Sequence, residues 1–264
     1  MIPAERRRLI LAEIRNRGVV SLRPMAEQLE VSEVTLRRDL NALAGEGLLD
    51  RSRGGATLRY ALAREPSYLE KAGEAQAEKA EIARAAAGLV KPGDSIILGP
   101  GSTTLALARE LRSVADLTVV TNSMLVVEAL STTSNAEVVV TAGTLRRSIH
   151  ALVGPSTEQS LRFLRADKAF LSCNGVSAEF GATTPEILVA AADKALAAAA
   201  KDVIVIADHT KVGSVALCQT LAIDEIDLLI TDPQAPKDEI DALRAAGLEV
   251  VLATESDGLS SASD

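Results

Sequence analysis

A short turn rich in glycine and hydroxyl groups follows the apolar run 95–99. It contains Gly101, Ser102, Thr103 and Thr104. If a helix begins here, its free backbone N–H groups, the positive end of its dipole and the three hydroxyls would form a cradle suited to a phosphate group. Many ordinary helix caps have the same composition, so from this turn alone the ordinary cap is the favoured interpretation.

Polar residues follow four later apolar runs in the same way. They are Asn122 and Ser123, then Gly143 and Arg146, then Asn174 and Gly175, and finally Lys211. Ligands of open α/β sheets bind beyond the carboxyl ends of the strands, so five such turns on one edge predict a binding site. Lys211 and Arg146 could neutralise a phosphate or reach a sugar oxygen, although Arg146 could equally be a solvated surface charge. His209 has no evident partner and is interpreted as structural.

The elements that must position these residues are seven apolar, β-branched segments that alternate with helical patterns. The segments are 95–99, 117–121, 136–143, 168–173, 202–208, 226–232 and 248–253, and helices are expected at 103–111, 123–131, 185–201 and 237–247. Continuous apolar strands separated by helices indicate a mostly parallel sheet covered on both faces. The predicted fold of residues 75–253 is therefore a doubly wound, mostly parallel α/β domain.

A second set of chemistry-bearing residues lies near the start of the chain, in the run 32-SEVTLRRDL-40. Ser32 can cap a helix in which Leu36, Leu40 and Leu43 share one apolar stripe. The opposite face then carries Val34, Arg38 and Asn41, with Thr35 and Arg37 on its flanks. Side chains of these types contact the phosphates and base edges of DNA. Alternatively, Arg37 and Arg38 solvate the helix surface or pair with Glu33, Asp39 or Glu46.

The elements around this helix complete a recognisable motif. Helices are expected over 4–17 and over 22–29, the latter capped by Ser21, and a hairpin over 48–60 carries Arg51, Arg53 and two glycines in its turn. Two helices joined by a short turn and followed by a hairpin predict a winged helix-turn-helix over residues 1–58. Residues 59–74 are polar and are expected to be a linker, and 254–264 a disordered tail.

Charge is divided unevenly between these two predicted domains. The net charge is -8, yet residues 1–59 contain eleven arginines and eight acids, a balance of +3 that leaves -11 for the remainder. A basic head on an acidic body favours a polyanionic partner for the head. No apolar run approaches the roughly 18 residues of a membrane span, and the two cysteines match no metal-ligand spacing. We therefore expect a cytoplasmic protein without metal, cofactor or membrane partner.

The N-terminal residues resemble a known family of regulators. The run 32-SEVTLRRDLNALAGEGLL-49, preceded by 5-ERRRLILAEIRNRGVVS-21 and followed by 51-RSRGGA-56, is similar to the DNA-binding domain of the DeoR family of bacterial transcriptional regulators. This resemblance implies that double-stranded operator DNA is bound by Ser32, Val34, Thr35, Arg37, Arg38, Asn41, Arg51 and Arg53. Paired half-sites imply a homo-oligomer, either a dimer or a tetramer.

The later motifs resemble the sensor domain of the same family. They are 78-EKAEIARAAAGLVKPGDSIILGPGSTT-104, 119-VVTNS-123, 142-AGTLRRSIHALVGP-155, 167-DKAFLSCNGV-176, 181-GATTPE-186 and 207-ADHTKVG-213. The resemblance implies a fold like that of ribose-5-phosphate isomerase, a phosphorylated sugar as effector, and repression of a sugar or polyol catabolic operon.

The sequence departs from the family pattern at several positions. Glu30 stands where Gly or Asn usually makes the turn between helices, and a left-handed conformation there would cost about 1 kcal/mol. Gly99 often is Asp in the family, Asn174-Gly175 often is Asp-Gly, and 187–200 lacks the usual acids. Losing carboxylates removes hydroxyl acceptors, which predicts either a different effector or a weakened site.

Two other functions stay open from the sequence. The first is a sugar-phosphate isomerase with an accessory DNA-binding head. Isomerisation needs a base at the substrate carbon, and Asp208 is the one candidate. The second is a sensor domain that has lost its ligand and serves only in oligomerisation.

Overall fold

The computed structural model describes residues 2–17, 19–45, 49–52, 55–58, 61–63 and 65–254. The chain divides into two compact units, Met1–Arg64 and Glu65–Asp264. Within the described ranges, no helix is both long and apolar enough to cross a membrane. The expected tail, 254–264, lies outside the described residues except for Thr254.

The first unit is a winged helix-turn-helix, as predicted. Its elements are α1 (Pro3–Arg17), β1 (Val19–Ser21), α2 (Leu22–Gln28), α3 (Glu33–Gly45), β2 (Leu49–Ser52) and β3 (Gly55–Leu58). The three strands form an antiparallel sheet in the order β1-β3-β2. Ile10 and Ile14 of α1 are fully buried with Leu36 and Leu40 of α3, so the apolar stripes of these helices form one core.

The two helix caps predicted in this unit differ in outcome. The Ser32 hydroxyl accepts a hydrogen bond from the Thr35 N–H at 3.2 Å, which confirms that cap. Ser21 occupies the N-cap position of α2, but its side chain makes no capping bond, so that prediction was wrong. Its backbone is instead part of β1 and pairs with Gly55. Glu30 has φ +54°, the left-handed conformation expected for this turn.

The second unit begins with helices and then alternates strands and helices. In chain order its elements are α4 (Tyr68–Gly73), α5 (Gln76–Ala87), β4 (Ser95–Leu98), α6 (Ser102–Glu110), β5 (Leu117–Thr121), α7 (Met124–Leu130), β6 (Ala136–Val140), β7 (Thr144–Arg146), β8 (Ala151–Val153), α8 (Pro155–Leu161), β9 (Ala166–Leu171), β10 (Gly175–Ser177), β11 (Gly181–Thr184), α9 (Ile187–Ala198), β12 (Ala200–Ile206), β13 (Cys218–Leu221), β14 (Leu228–Thr231), α10 (Lys237–Ala245) and β15 (Glu249–Leu252).

The seven predicted apolar strands form one parallel sheet in the order β15-β14-β12-β9-β4-β5-β6. After β4 the chain adds β5 and β6 on one side, and then returns to add the remaining strands on the other. Strand order therefore reverses between β4 and β9. In doubly wound sheets, ligands bind in the crevice beyond the carboxyl ends of the strands at this reversal.

Apolar side chains cover both faces of this sheet. Ile97 and Leu171 pack on one face with α8, α9 and α10, whereas Ile96, Leu98 and Phe170 pack on the other with α5, α6 and α7. Neighbouring strand residues point to opposite faces, which is why the sequence showed continuous apolar runs rather than alternation. The doubly wound prediction is confirmed.

Three features differ from the expected architecture. Strand 136–143 ends at Val140, and short antiparallel strands that periodicity could not reveal form the pair β7-β8 and the sheet β10-β11-β13. The expected linker 59–74 is wrong in its second half, because Glu65 and α4 belong to the second unit. Hydrogen bonds from Arg146 and Ser148 to Glu65 hold that segment there.

Candidate functional site

Helix α3 presents a polar face to solvent. Val34 is 78% exposed, and Arg37, Arg38 and Asn41 are exposed beside it, while Leu36 is fully buried on the opposite side. The predicted orientation of the helix is therefore correct. A base edge or phosphate could reach these side chains without unfolding any part of the unit.

The charged residues of this helix have distinct roles. Arg37 lies 3.9 Å from Glu33, an exposed pair of the kind that contributes little to stability. Asp39 is buried, and it accepts hydrogen bonds from Arg6 at 2.5 Å and Arg7 at 3.2 Å of α1. Asp39 thus anchors α1 to α3, a role that the sequence reasoning missed. Its position three residues after Leu36, on the apolar stripe, was the available signal.

The wing positions Arg51 in β2, opposite Ala56 of β3. The register pairs Ser52 with Gly55. Arg53 itself lies outside the described residues. A Cβ on Gly55 would lie 2.0 Å from the Val20 carbonyl oxygen, so glycine is required where β3 meets β1.

A cavity opens at the carboxyl ends of β4 and β9, where the strand order reverses. Its volume is about 410 Å³ when the open solvent at its mouth is counted. Its lining residues come from six separate segments and are Glu65, Tyr68, Lys71, Pro100, Gly101, Ile149, Ser172, Asn174, Thr184, Val189 and Asp193. The location is the one that doubly wound topology predicts for a ligand site.

One wall of the cavity is the segment 65–71, which the end of β7 and the loop after it hold in place. Glu65 accepts hydrogen bonds from the Arg146 Nε at 2.9 and 3.0 Å and from the Ser148 hydroxyl at 2.6 Å. The Tyr68 N–H donates to the Ser148 carbonyl at 2.8 Å. The rings of Tyr68 and His150 pack edge to face, with 5.8 Å between their centroids. Arg146 therefore acts on this segment rather than lining the cavity.

Buried Lys79 fixes the carboxyl end of α4. Its Nζ donates to the carbonyls of Lys71 at 2.5 Å and Glu74 at 2.6 Å, and lies 3.6 Å from Asp208 Oδ2. Burial lowers the pKa of Lys79, and the nearby Asp208 carboxylate opposes this change. Burial alone would raise the pKa of Asp208, but Lys211, the Thr210 hydroxyl and Lys79 together hold it below its usual value. Asp208 is thus a structural anion outside the cavity lining.

A small polar network lies inside the cavity. Asn174 Oδ1 accepts hydrogen bonds from Lys71 Nζ at 3.4 Å and from the Thr184 hydroxyl at 3.2 Å. Burial lowers the pKa of Lys71, and the positive charge of Lys211 adds to the effect, while Glu65 and Asp193 oppose it. An anionic ligand beside Lys71 would favour its charged form. The arrangement suits a group that carries both negative charge and hydroxyls.

The turn after β4 provides backbone rather than hydroxyl groups. Gly101 has φ +151°, and a Cβ there would lie 2.2 Å from the Ser172 hydroxyl oxygen. The Thr104 hydroxyl donates to the Gly101 carbonyl at 3.0 Å, and both Thr103 and Thr104 are buried. Only Ser102 of the three expected hydroxyl residues is partly exposed.

The remaining residues expected at the site lie elsewhere. Asn122 donates to the Leu152 carbonyl at 2.9 Å, and Ser123 caps α7. Backbone and side-chain neighbours crowd Gly143 and Gly175, and Lys211 contacts the Thr210 hydroxyl at 2.8 Å and Glu74 at 3.6 Å. His209 does have a partner, Asp232, at 3.0 Å. Of the predicted effector residues, the cavity brings together Gly101 and Asn174.

The cavity residues that sequence reasoning missed include Glu65, Tyr68 and Lys71 of the supposed linker. A signal was present, because Ser67 and Glu70 form a capping box that marks the start of α4. Thr184 and Asp193 gave no local signal. No cluster of three or more potential metal-ligating side chains occurs among the residues that the structure describes.

Comparisons with known proteins agree with this architecture. Residues 6–60 match the DeoR-like helix-turn-helix domain, and residues 74–233 match the DeoR C terminal sensor domain. The solved ribose 5-phosphate isomerase A of Methanocaldococcus jannaschii is 19% identical with a TM-score of 0.38, over 52% of this chain and 54% of its own. A likeness at that score supports no conclusion about activity.

Several relatives align over nearly the whole chain. The HTH-type transcriptional regulator YgbI of Escherichia coli K12 is 36% identical, over 96% of this chain and 99% of its own length. A putative aga operon transcriptional repressor of Escherichia coli O157:H7 is 34% identical, over 96% and 94%, and the repressor GlcR of Bacillus subtilis is 33% identical, over 98% and 99%. The chain therefore belongs to the DeoR family of transcriptional regulators.

Proposed function

We propose that this protein represses a sugar or polyol catabolic operon, and that a phosphorylated sugar bound in the cavity controls its affinity for operator DNA. Relatives named as repressors support the first part. The cavity at the strand-order reversal, with Lys71 and the amino end of α6 beside it, supports the second.

The DNA contacts follow from the exposed face of α3. Arg37 and Arg38 reach phosphates or guanine edges in the major groove, and Val34, Thr35 and Asn41 lie against bases. Ser32 caps the start of α3, and Arg51 and Arg53 of the wing contact the sugar-phosphate backbone of the DNA. A single helix reads few base pairs, so a homo-oligomer supplies a second half-site.

The effector contacts use residues that converge in the cavity. A phosphate lies near Gly101 and Ser102, where free N–H groups of α6 and the Lys71 ammonium neutralise it. Asn174 and Thr184 hydrogen-bond sugar hydroxyls, since both carry exchangeable donor and acceptor groups. The remaining residues support the surrounding turns: Asn122, Ser123 and Gly175 are buried, Lys211 is half-buried and Gly143 is exposed.

The observation that carries the proposal is the position of one cavity wall in the chain. Residues 65–71 are the first residues of the second unit, so they follow directly on the segment that leads from the winged helix. A ligand that contacts Lys71 therefore acts on the part of the second unit that directly follows its connection to the winged helix. By linkage, operator DNA must change effector affinity by the same factor as effector changes operator affinity.

Fluorescence anisotropy of the full-length protein on duplex DNA from upstream of its own and neighbouring genes tests this proposal. At fixed salt, we expect specific binding with a Kd of about 10⁻⁸ M or tighter. One member of a panel of sugar phosphates should change that Kd at least about fivefold, the low end of usual allosteric coupling. Tight binding indifferent to every phosphate would leave a regulator without this effector. Absence of specific binding would overturn the repressor function itself.

A further inference from the structure

Asp193 of α9 is a buried carboxyl that lines the cavity. Its residue is 4% exposed, and its Oδ1 has no hydrogen-bond partner. Buried carboxyl oxygens are almost always hydrogen-bonded, so one that is unpaired and borders a cavity points to a group that arrives with a ligand.

Several other polar atoms of the cavity already have hydrogen-bond partners. Glu65 accepts hydrogen bonds from Arg146 and Ser148, and Asn174 Oδ1 accepts from Lys71 and Thr184. Ser172 donates to the Pro100 carbonyl at 2.8 Å. Among the described lining residues, Asp193 is thus the carboxyl that remains available to a ligand.

The charges around Asp193 limit what this ligand group can be. Lys71 of α4 interacts electrostatically with Asp193, and Lys211 acts in turn on Lys71. Cys173, which follows β9, is also coupled to Asp193, and Glu65 and Tyr68 line the same cavity. A cationic group at Asp193 would be repelled by the Lys71 ammonium. A second anionic group would have to give up its hydration without a cation of its own, because Lys71 takes the phosphate. A neutral hydroxyl avoids both conflicts.

Resting on the proposed function, we propose that Asp193 recognises a hydroxyl group of the phosphorylated effector and selects against ligands that lack this hydroxyl. Lys71 and the amino end of α6 take the phosphate, while Asp193 takes a hydroxyl on the carbon chain. The ligand class is therefore a polyhydroxylated monophosphate rather than a free phosphate or a phosphate on an apolar carrier.

The protonation state of Asp193 agrees with this role. Burial raises the pKa of Asp193 to about 8, although Lys71 opposes the change. At neutral pH the carboxyl is mainly protonated, so it offers one O–H donor and one acceptor oxygen to a hydroxyl. Above pH 8 it becomes a carboxylate, which repels the phosphate. Lys71, whose pKa is lowered, loses its charge as pH rises, and both effects weaken binding in alkali.

Titration calorimetry with the full-length protein tests the assignment. The probes are ribose 5-phosphate, glucose 6-phosphate and glycerol 3-phosphate, each with its monodeoxy analogues, and inorganic phosphate. We compare the parent protein with Asp193→Ala, and with Asp193→Asn as the isosteric variant. The exposed Lys201→Ala is the control.

We expect Asp193→Ala to weaken the best sugar phosphate at least tenfold without changing the affinity for inorganic phosphate. The parent should bind one deoxy analogue about tenfold more weakly than the intact sugar phosphate. Asp193→Ala should bind that analogue and the intact sugar phosphate with equal affinity. Asp193→Asn should retain most of the affinity for the sugar phosphate. Between pH 7 and 9 its affinity should fall less than that of the parent, because the ionisation of Asp193 no longer contributes.

The outcomes separate the two proposals. Suppose that the parent binds a sugar phosphate, and that removing each hydroxyl lowers the affinity equally for the parent and for Asp193→Ala. The role of Asp193 is then refuted, while the effector part of the proposed function is retained. If the parent binds no sugar phosphate, the effector part of the proposed function fails and the role of Asp193 fails with it. Product formation from any probe would overturn recognition as the purpose of the residue.

Discussion

Positively charged side chains serve opposite purposes in the two units. Arg37 and Arg38 are exposed on one face of α3, and the opposite face of this helix packs into the core of the first unit. In the second unit, Lys79 is buried and Lys71 is half-buried, and both have internal oxygen partners. An exposed charge contributes mainly to what it binds, whereas a buried charge contributes mainly to the shape around it. Substitutions on α3 should therefore affect binding first, and those around the cavity should affect stability first.

The largest effect should come from Lys79→Met, which breaks the second part of this comparison. It leaves the Asp208 carboxylate without its buried cation and the carbonyls of Lys71 and Glu74 without a donor. We expect the second unit to lose about 3 to 5 kcal/mol in free energy of unfolding. Urea denaturation measures this loss. The exposed Lys201→Met is the matched control and should change it by less than about 0.5 kcal/mol.

Asp193→Asn should make the second unit more stable than in the parent, by an amount that grows as pH rises. The unfolded carboxyl has its ordinary pKa of 3.8 and the folded one a pKa of about 8, so between these values the folded state holds a proton that the unfolded state has released. Stability of the parent must then fall with rising pH, and the variant lacks this dependence. We expect the difference to grow from near zero at pH 4 to about 3 kcal/mol at pH 6.

Urea denaturation at pH 4, 6 and 8 measures that difference. Parallel pH profiles for the variant and the parent would show that Asp193 ionises normally in the folded protein.

Arg38→Ala sharpens the first part of the comparison. It should weaken operator binding by about 1 to 3 kcal/mol while leaving the unfolding free energy and effector affinity unchanged. Anisotropy on operator duplex at several salt concentrations provides the measurement. Arg165→Ala, an exposed arginine of the second unit, is the control, and equal operator affinity in Arg38→Ala and the parent would refute the contact.

The smallest effect, and the most specific, is expected for Glu65→Gln. This change weakens the hydrogen bonds from Arg146 and Ser148 that hold the segment 65–71. Operator and effector should each still bind, but the coupling between them should fall by about 0.5 to 2 kcal/mol. Operator titrations with and without the effector give the coupling directly. Unchanged coupling would mean that another part of the chain carries the response.

The parts of the fold that depend on neighbouring residues could be predicted from the sequence. The stripe of Leu36, Leu40 and Leu43 and the Ser32 cap are local features, and so are the apolar runs of the seven parallel strands. The strand order, with its reversal between β4 and β9, was not predicted and is known only from the structure.

Most of the cavity could not be predicted in this way. Lys71, Thr184 and Asp193 lie in three separate segments, and only the fold brings them together. Conversely, the Thr104 hydroxyl was expected to face a ligand, but it bonds to its own turn. A run of hydroxyl residues does not reveal which of them the backbone uses.

The close approach of Gly101 to Ser172 limits how this sensor can change during evolution. Any side chain at position 101 would collide with the Ser172 side chain, so glycine is required at this position of the turn. If the proposed effector site is correct, selection for a new effector acts on the residues assigned to its hydroxyls, Asn174, Thr184 and Asp193. Paralogues of this chain should diverge there while keeping Gly101, and ancestral specificities should be recoverable by exchanging those three residues.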